Sequence, residues 1–314
     1  MRGSAIPGLV GRFAILTSMK HLRSSACWGL IAIALISIGP RRLAAEEARV
    51  TVTPALVEAG SPELIRVDAA PSATLEGEWM GRKLQFFRGR ENRAWFALCG
   101  VDVEANAGPS TLRIVVRPAK GEASAYSRAI EIHPGHYRTG SLTVAPKFVE
   151  PPAEALKEIE AEGKLKATLF TESAGEPLWT ASFRAPVDAA PTDSFGTRRM
   201  FNGKVASVHK GMDFRAALGT PVRASNSGVV VLARPLYFEG NCVVIDHGLG
   251  LYTLSMHFSR IDVREGQHVA GGDQLGLSGA TGRVTGPHLH WAVRWQNAYL
   301  DPAKLLKLDL NEAR

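Results

Sequence analysis

Residues Thr285 to Val293 read TGPHLHWAV: two histidines, His288 and His290, stand two apart behind a Gly-Pro pair and run into an apolar stretch. Successive side chains of a strand alternate faces, so residues i and i+2 look the same way, roughly 6.5 Å apart. Read as a strand, the stretch carries two imidazoles on one face. The same texture extends outward through "GTPVRASNSGVVVLARP", "GNCVVIDHGLGLYTLSMHFS" and "IDVREGQHVAGGDQLGLSGATG". These are short apolar or alternating runs separated by glycine-rich turns, which predict an antiparallel β domain over residues 186–314.

Upstream, the runs "RVTVTP", "ELIRVDA", "KLQFFRG", "NRAWFALCGV", "STLRIVVRPA" and "YSRAIEIHP" alternate in the same way between Gly, Pro, Asn and Asp breaks. Their lengths and spacing predict a small antiparallel, Ig-like β-sandwich over 46–135. Between the two β regions, 136–185 reads as a linker. Its segment 148–166, FVEPPAEALKEIEAEGKLK, carries Pro at its start, apolar residues every three to four positions and Gly near its end, which predicts a helix. The expected fold is mainly β: sandwich, linker helix, then the C-terminal β domain.

The first 45 residues read as a secretory signal. A basic stretch with Lys20 and Arg23 precedes an uncharged apolar core from Trp28 to Gly39, and small residues follow before Glu46. Met19 sits just ahead of this pattern and is a possible true start. The expectation is export across the cytoplasmic membrane into the periplasm or cell envelope, with an uncleaved N-terminal anchor as the alternative because Arg41 and Arg42 follow the core. The chain has 37 Lys and Arg against 30 Asp and Glu, a formal charge of +7 that favours anionic surroundings. No Lys/Arg-rich block or basic stripe interleaved with aromatics accompanies it, so a nucleic-acid partner is not expected.

Four histidines and one aspartate form the candidate chemistry. VHKGMDF places His209 and Asp213 four apart, on one face if the backbone is extended, and Gly211 between them argues against a helix. TLSMHFS sets His257 in an apolar strand. Catalytic zinc takes three nitrogen or oxygen ligands from the protein and leaves a fourth position for water. His209, Asp213 and one of the His288/His290 pair can supply the three. No HExxH motif provides a helical glutamate base, but His257 and the remaining histidine can act as acid, base or hydrogen-bond donor. Spacing alone leaves open both the metal reading and that of ordinary strand histidines.

Taken together, the motifs in residues 195–306 resemble the lysostaphin-type zinc metallopeptidases, the family of lysostaphin and LytM, whose members cut peptide bridges and stems in peptidoglycan. The resemblance rests on FGTRRMFNGKVASVHKGMDFRAALGTPVRASNSGVV, on the run from GNCVVIDHG through TGPHLHWAV, and on DPAKLL, all in family order. It implies that His209, Asp213 and His290 are the metal ligands for one zinc per chain and that His257 and His288 are the catalytic pair. With the N-terminal signal, the leading expectation is a secreted endopeptidase acting on peptidoglycan cross-links or stems through zinc-bound water, with the sandwich as a positioning or self-restraining module. Ser255 departs from the aromatic, usually Tyr, that many relatives carry two residues before the catalytic histidine; this bears on substrate contacts.

Two other readings stand beside this one. The chain could be a catalytically inactive homologue that binds and activates another wall hydrolase, although all five site positions are filled. Alternatively, VREGQHVAGGDQLG resembles the hairpins of biotinyl and lipoyl carrier domains, but it has no lysine at a suitable tip and leaves the histidines unexplained. The remaining features read as structural: His133 and His136 flank a Pro-Gly turn, His247 opens a turn, His268 lies in a solvated loop, and Cys242 is a small core residue. Asn202 sits in a loop that could line the cleft.

Overall fold

The computed structural model describes residues 49–203 and 205–313; the signal read over 1–45 lies outside the described residues. None of the described helices is long and apolar enough to cross a membrane. The described residues belong to one compact unit.

The first layer pair is the sandwich. Strands Val50–Thr53, Pro62–Val67, Trp95–Gly100 and Phe87–Arg88 make a four-stranded sheet; Val57–Glu58, Ser124–His133, Gly108–Arg117, Thr74–Trp79 and Arg82–Leu84 make a five-stranded one. Alternation does the work: Leu112, Ile114 and Val116 point inward from one long strand and join Ile65, Val67 and Phe96 of the other sheet in a common apolar cluster. Each such fully buried side chain contributes roughly 1.5–3 kcal/mol. The pairing departs from the all-antiparallel expectation at one place, where Val57–Glu58 runs parallel to the end of Ser124–His133.

The segment read as a linker is built into the fold. Its strand Thr139–Leu142 pairs in parallel with Arg198–Phe201, which pairs antiparallel with Val205–Val208. A parallel pair needs a crossover, and the helix lies in that connection. It spans Ala153–Leu169 rather than 148–166. Pro151 and Pro152 hold the preceding backbone extended, so Phe148 belongs to a separate 3-10 turn, Pro146–Phe148. At the other end the helix runs through Gly163. Leu165, Leu169 and Phe170 pack against Leu232, Tyr252 and Leu254, and the Glu162 carboxylate accepts the Tyr237 N–H at 2.8 Å. That packing outweighs the roughly 1 kcal/mol cost of an interior glycine.

The C-terminal domain is a ten-stranded antiparallel sheet. At its centre, Met212–Phe214, Leu289–Trp295, Leu251–Ile261, Gly240–Asp246 and Gly228–Leu236 lie side by side. The apolar run CVVI is buried on both faces. Val243 and Ile245 join the large cluster that continues into the sandwich, while Cys242 and Val244 lie under the helix. The sandwich docks through close contacts. The Asp301 N–H donates to the Gly60 carbonyl at 2.7 Å, Lys304 pairs with Glu58 at 2.6 Å, and Leu300 fills the space beside Gly100, where any Cβ would collide with it. Cys99 and Cys242 are free buried thiols in separate clusters, and burial pushes both well above the usual thiol pKa.

Candidate active site

Strand register assembles the site. Asp213 pairs directly with His290, and His290 pairs on its other side with Met256, so these three side chains share one face of the central sheet. His288 lies just before the strand Leu289–Trp295, held by an isolated bridge to Gly279, and its ring shares the face of His290 as the two-residue spacing requires.

His209 reaches the cluster differently from the expectation of one extended strand running through Asp213. Val205–Val208 belongs to the three-stranded sheet and Met212–Phe214 to the ten-stranded one, so the chain passes between sheets at His209–Gly211. Gly211 is required there by closeness: a Cβ on it would lie 2.5 Å from His290 Nε2 and 2.7 Å from the Trp291 carbonyl.

His257 would point away from the cleft on a regular strand, because Met256 already faces it. A β-bulge corrects this. Ser255 and Phe258 pair with Val243 and Asn241, so two residues oppose Cys242, and His257 takes the left-handed conformation at φ +66°. A non-glycine residue held there stores about 1–3 kcal/mol of strain, and such strain gathers at functional positions. The His257 N–H donates to the Glu239 carbonyl at 3.0 Å, which holds the bulge.

Three donor atoms converge. His209 Nε2 is 3.0 Å from Asp213 Oδ1 and 2.9 Å from His290 Nδ1, and His290 Nδ1 is 2.8 Å from Asp213 Oδ1. His209 Nδ1–H donates to the Ser194 carbonyl at 3.0 Å, which leaves Nε2 of the neutral ring as a bare lone pair facing another ring nitrogen and a carboxylate oxygen. Such a donor set calls for a cation at its centre. The separations approach the roughly 3.3 Å edge of a tetrahedron with metal–ligand bonds near 2.0–2.1 Å. Among the described residues this trio is the one group of His, Cys, Asp and Glu that can hold a metal ion. Burial works to raise the Asp213 carboxyl, but the adjoining His209 and His290 imidazoles hold it far below the ordinary carboxylate range. Burial pushes His290 down to about 4, favouring its neutral, ligating form.

The other two imidazoles flank this centre. His257 and His288 lie with ring centroids 4.9 Å apart, and His288 Nε2 is 3.8 Å from Asp213 Oδ1. Each has its tautomer fixed by a carbonyl: His257 Nδ1–H donates to Thr281 O and His288 Nδ1–H to Gly286 O, both at 2.8 Å. Both rings therefore keep an unprotonated Nε2 when neutral. Burial, then the neighbouring His290 and His288, push His257 down to about 3. All five line a cleft of about 500 Å³.

Several contributors were not identified from the sequence. Arg199 donates to Asp213 Oδ2 at 2.6 Å and, through two nitrogens, to Asp193 Oδ2 at 3.0 and 2.5 Å. It occupies the carboxylate oxygen that the trio leaves over and so fixes the orientation of Asp213. The available signal was a second arginine beside Met200 and Phe201 in an otherwise half-buried strand. Thr281, which sets the His257 tautomer, acts through its backbone and leaves no trace in residue type.

The other singled-out residues fall elsewhere. Ser255 is buried and absent from the cleft wall, which Met256 lines instead. The Asn202 amide clasps both backbone groups of Val144 at 2.9 Å, securing the parallel strand pair instead of lining the cleft. His247 is buried between the Ser227 carbonyl and the Thr253 hydroxyl, and burial pushes it down to about 4. His133, His136 and His268 are exposed.

Residues 207–302 match the model of peptidase family M23. The peptidoglycan DD-endopeptidase ShyA of Vibrio cholerae is 44% identical over 125 residues, 39% of this chain and 29% of that protein. ShyB of the same organism, also a peptidoglycan DD-endopeptidase, is 37% identical over 164 residues, 49% and 38% of the two chains. The DD-carboxypeptidase/endopeptidase Mpg of Neisseria meningitidis is 42% identical over 98 residues, 31% of this chain and 23% of that one. The chain thus spans about a quarter to two-fifths of the length of these relatives. A crystal structure assigned to the M23 peptidases, from Pseudomonas aeruginosa, superposes with a TM-score of 0.61 at 29% identity, covering 79% of this chain and 94% of that one.

Proposed function

The C-terminal domain belongs to peptidase family M23, and from that premise we propose that the protein is a zinc-dependent endopeptidase hydrolysing peptide bonds in peptidoglycan cross-links or stems. The observation that carries the reading is the convergence of His209 Nε2, Asp213 Oδ1 and His290 Nδ1 beside two imidazoles with fixed tautomers. The trio would hold one zinc, which when bound would supply Lewis acidity to the scissile carbonyl and lower the pKa of a water molecule.

The chain's own residues do the rest. Nε2 of His257 and of His288 each present a lone pair to the cleft, ready to take a proton from the attacking water. Once protonated, either ring can donate to the oxyanion or return the proton to the leaving amine. Arg199 keeps Asp213 turned so that Oδ1 faces the trio. The strain at His257 fixes that ring beside the water path before substrate arrives.

The signal read at the N-terminus supports export of this activity to the periplasm or cell envelope as part of the proposal. No residue of 49–133 lines the cleft, whereas Leu142 and Val144 of the following segment do; any restraint on access from the N-terminal side is exerted there. The alternative of an inactive partner of another hydrolase gains no support from a site with all five residues in place. Mass spectrometry of purified sacculi digested with the protein tests the reading. Loss of cross-linked muropeptides, with glycan strands intact, is expected; unchanged muropeptides with the metal-loaded protein would refute it.

A further inference from the structure

Arg283 occupies an unusual position in the cleft wall. Its guanidinium lies between two aromatic rings from different parts of the fold, 4.5 Å from the centroid of Phe201 and 4.9 Å from that of Phe238. Phe238 is in turn wedged edge-on against Tyr237, and Phe201 is buried. The group is therefore held against two apolar rings, which offer its N–H groups no oxygen acceptor and leave them for other partners. Among the described residues the guanidinium donates no hydrogen bond and makes no ion pair, and burial lowers its pKa.

The neighbouring charges pair with other groups. Glu239, the acid nearest in sequence to Phe238, pairs with Lys166 at 2.5 Å through one oxygen and acts on Arg283 only through its field, with no hydrogen bond or ion pair between them; Asp193 and Asp213 are held by Arg199; Lys210 pairs with Glu104 at 2.8 Å. Arg215 also lines the cleft without an ion pair, but it is exposed and solvated. Arg283 is the cation that is both partly desolvated and preoriented, the state in which a guanidinium binds a carboxylate best.

Its backbone ties it to the catalytic groups. The Arg283 N–H donates to the Phe238 carbonyl at 2.8 Å, and the next carbonyl, that of Glu239, accepts the His257 N–H. Two residues before Arg283, the Thr281 carbonyl fixes the His257 ring. Gly282, at φ +75°, lets this loop pass against Gly240, where a Cβ would lie 2.3 Å from the Gly240 nitrogen. The cation and the catalytic imidazole are thus set by the same two backbone segments.

We propose that Arg283 determines specificity by binding a free carboxylate of the substrate peptide, next to the scissile bond, through its exposed edge. This rests on the endopeptidase reading. The carboxylate could be the terminal α-carboxylate of a stem or a side-chain carboxylate within it. The test uses a synthetic cross-linked stem-peptide dimer in three forms: all carboxyls free, only terminal carboxyls amidated, and only side-chain carboxyls amidated. Wild-type protein, Arg283→Met and Arg283→Lys are each assayed for cleavage and for binding.

The expected result is that one of the two amidations lowers wild-type kcat/KM by roughly tenfold or more, mainly through KM, and thereby names the source of the carboxylate. Arg283→Met should lower kcat/KM on the free acid by a similar factor and leave the sensitive amide unchanged. Arg283→Lys should recover only part of the preference, because it keeps the charge and loses the fork. Equal losses on all three peptides in Arg283→Met would mark a purely structural cation, and a wild type indifferent to amidation would overturn the proposal outright. If the wild type cuts none of the peptides, the endopeptidase reading fails; Arg283 is then judged by binding alone, where equal affinities for acid and amide refute it.

Discussion

Asp213 and His290 face one another across adjacent antiparallel strands, with His290 Nδ1 2.8 Å from Asp213 Oδ1, while the other carboxylate oxygen is held by Arg199 at 2.6 Å. The carboxylate is thus divided between an oxygen that faces the donor trio and one held by Arg199, and that division separates the roles of the surrounding residues.

His290→Ala and His288→Ala should fail in different ways. His290 is one corner of the donor trio, so its loss should remove metal and cleavage together. His288 stands 3.8 Å from Asp213 Oδ1, outside the trio, so its loss should reduce cleavage by roughly 10²–10⁴ while metal stays bound. Metal analysis beside a muropeptide assay reads both; equal metal loss in the two variants would erase the distinction.

Arg199→Met keeps the stem but leaves Asp213 Oδ2 without its donor. Partners that orient metal ligands are typically worth roughly 10–100-fold in affinity or activity. Competition with a chromophoric chelator should show weaker metal binding by that order, with thermal stability little changed. Wild-type affinity in the variant would show that Asp213 needs no such support.

Gly211→Ala places a methyl where the His290 ring now lies, 2.5 Å from Nε2. The ring must shift, so metal affinity should fall although no ligand has been replaced. A chelator titration equal to the wild type would mean that the strand crossing relaxes at no cost to the site.

Glu63 supplies a pH prediction remote from the cleft. Buried in the sandwich, its carboxyl is pushed up to about 8 from an ordinary 4.5, chiefly by burial, although the Ser61 hydroxyl donates to it. Between those values the folded chain holds a proton that the unfolded chain releases. Stability should therefore fall as pH rises through this window, by up to about 1.4 kcal/mol per pH unit, and then level off. Denaturant unfolding at intervals from pH 5 to 8 should show a shallower slope in Glu63→Gln; parallel slopes would contradict the assignment.

Much of this was legible beforehand. The alternation in STLRIVVRPA and the continuous apolar run CVVI both marked strands, and the paired histidines of TGPHLHWAV do look the same way. What could not be read depended on contacts distant in sequence. The helix outran Gly163 because Leu165 and Leu169 found a sheet to cover. His209 and Asp213 meet by a crossing between sheets, which a four-residue spacing does not distinguish from one extended strand. His257 reaches the cleft only through a bulge, which the text SMHFS does not announce. The strand hidden in the linker was missed because its partner, Arg198–Phe201, lies beyond the helix.

The most direct test of the proposed metal-dependent peptidase activity is chelation and reconstitution on purified sacculi. Stripping the protein of metal should abolish muropeptide release, and one equivalent of zinc per chain should restore it. Release that persists in the metal-free protein, or a metal-free protein that gains nothing from zinc, would contradict the account.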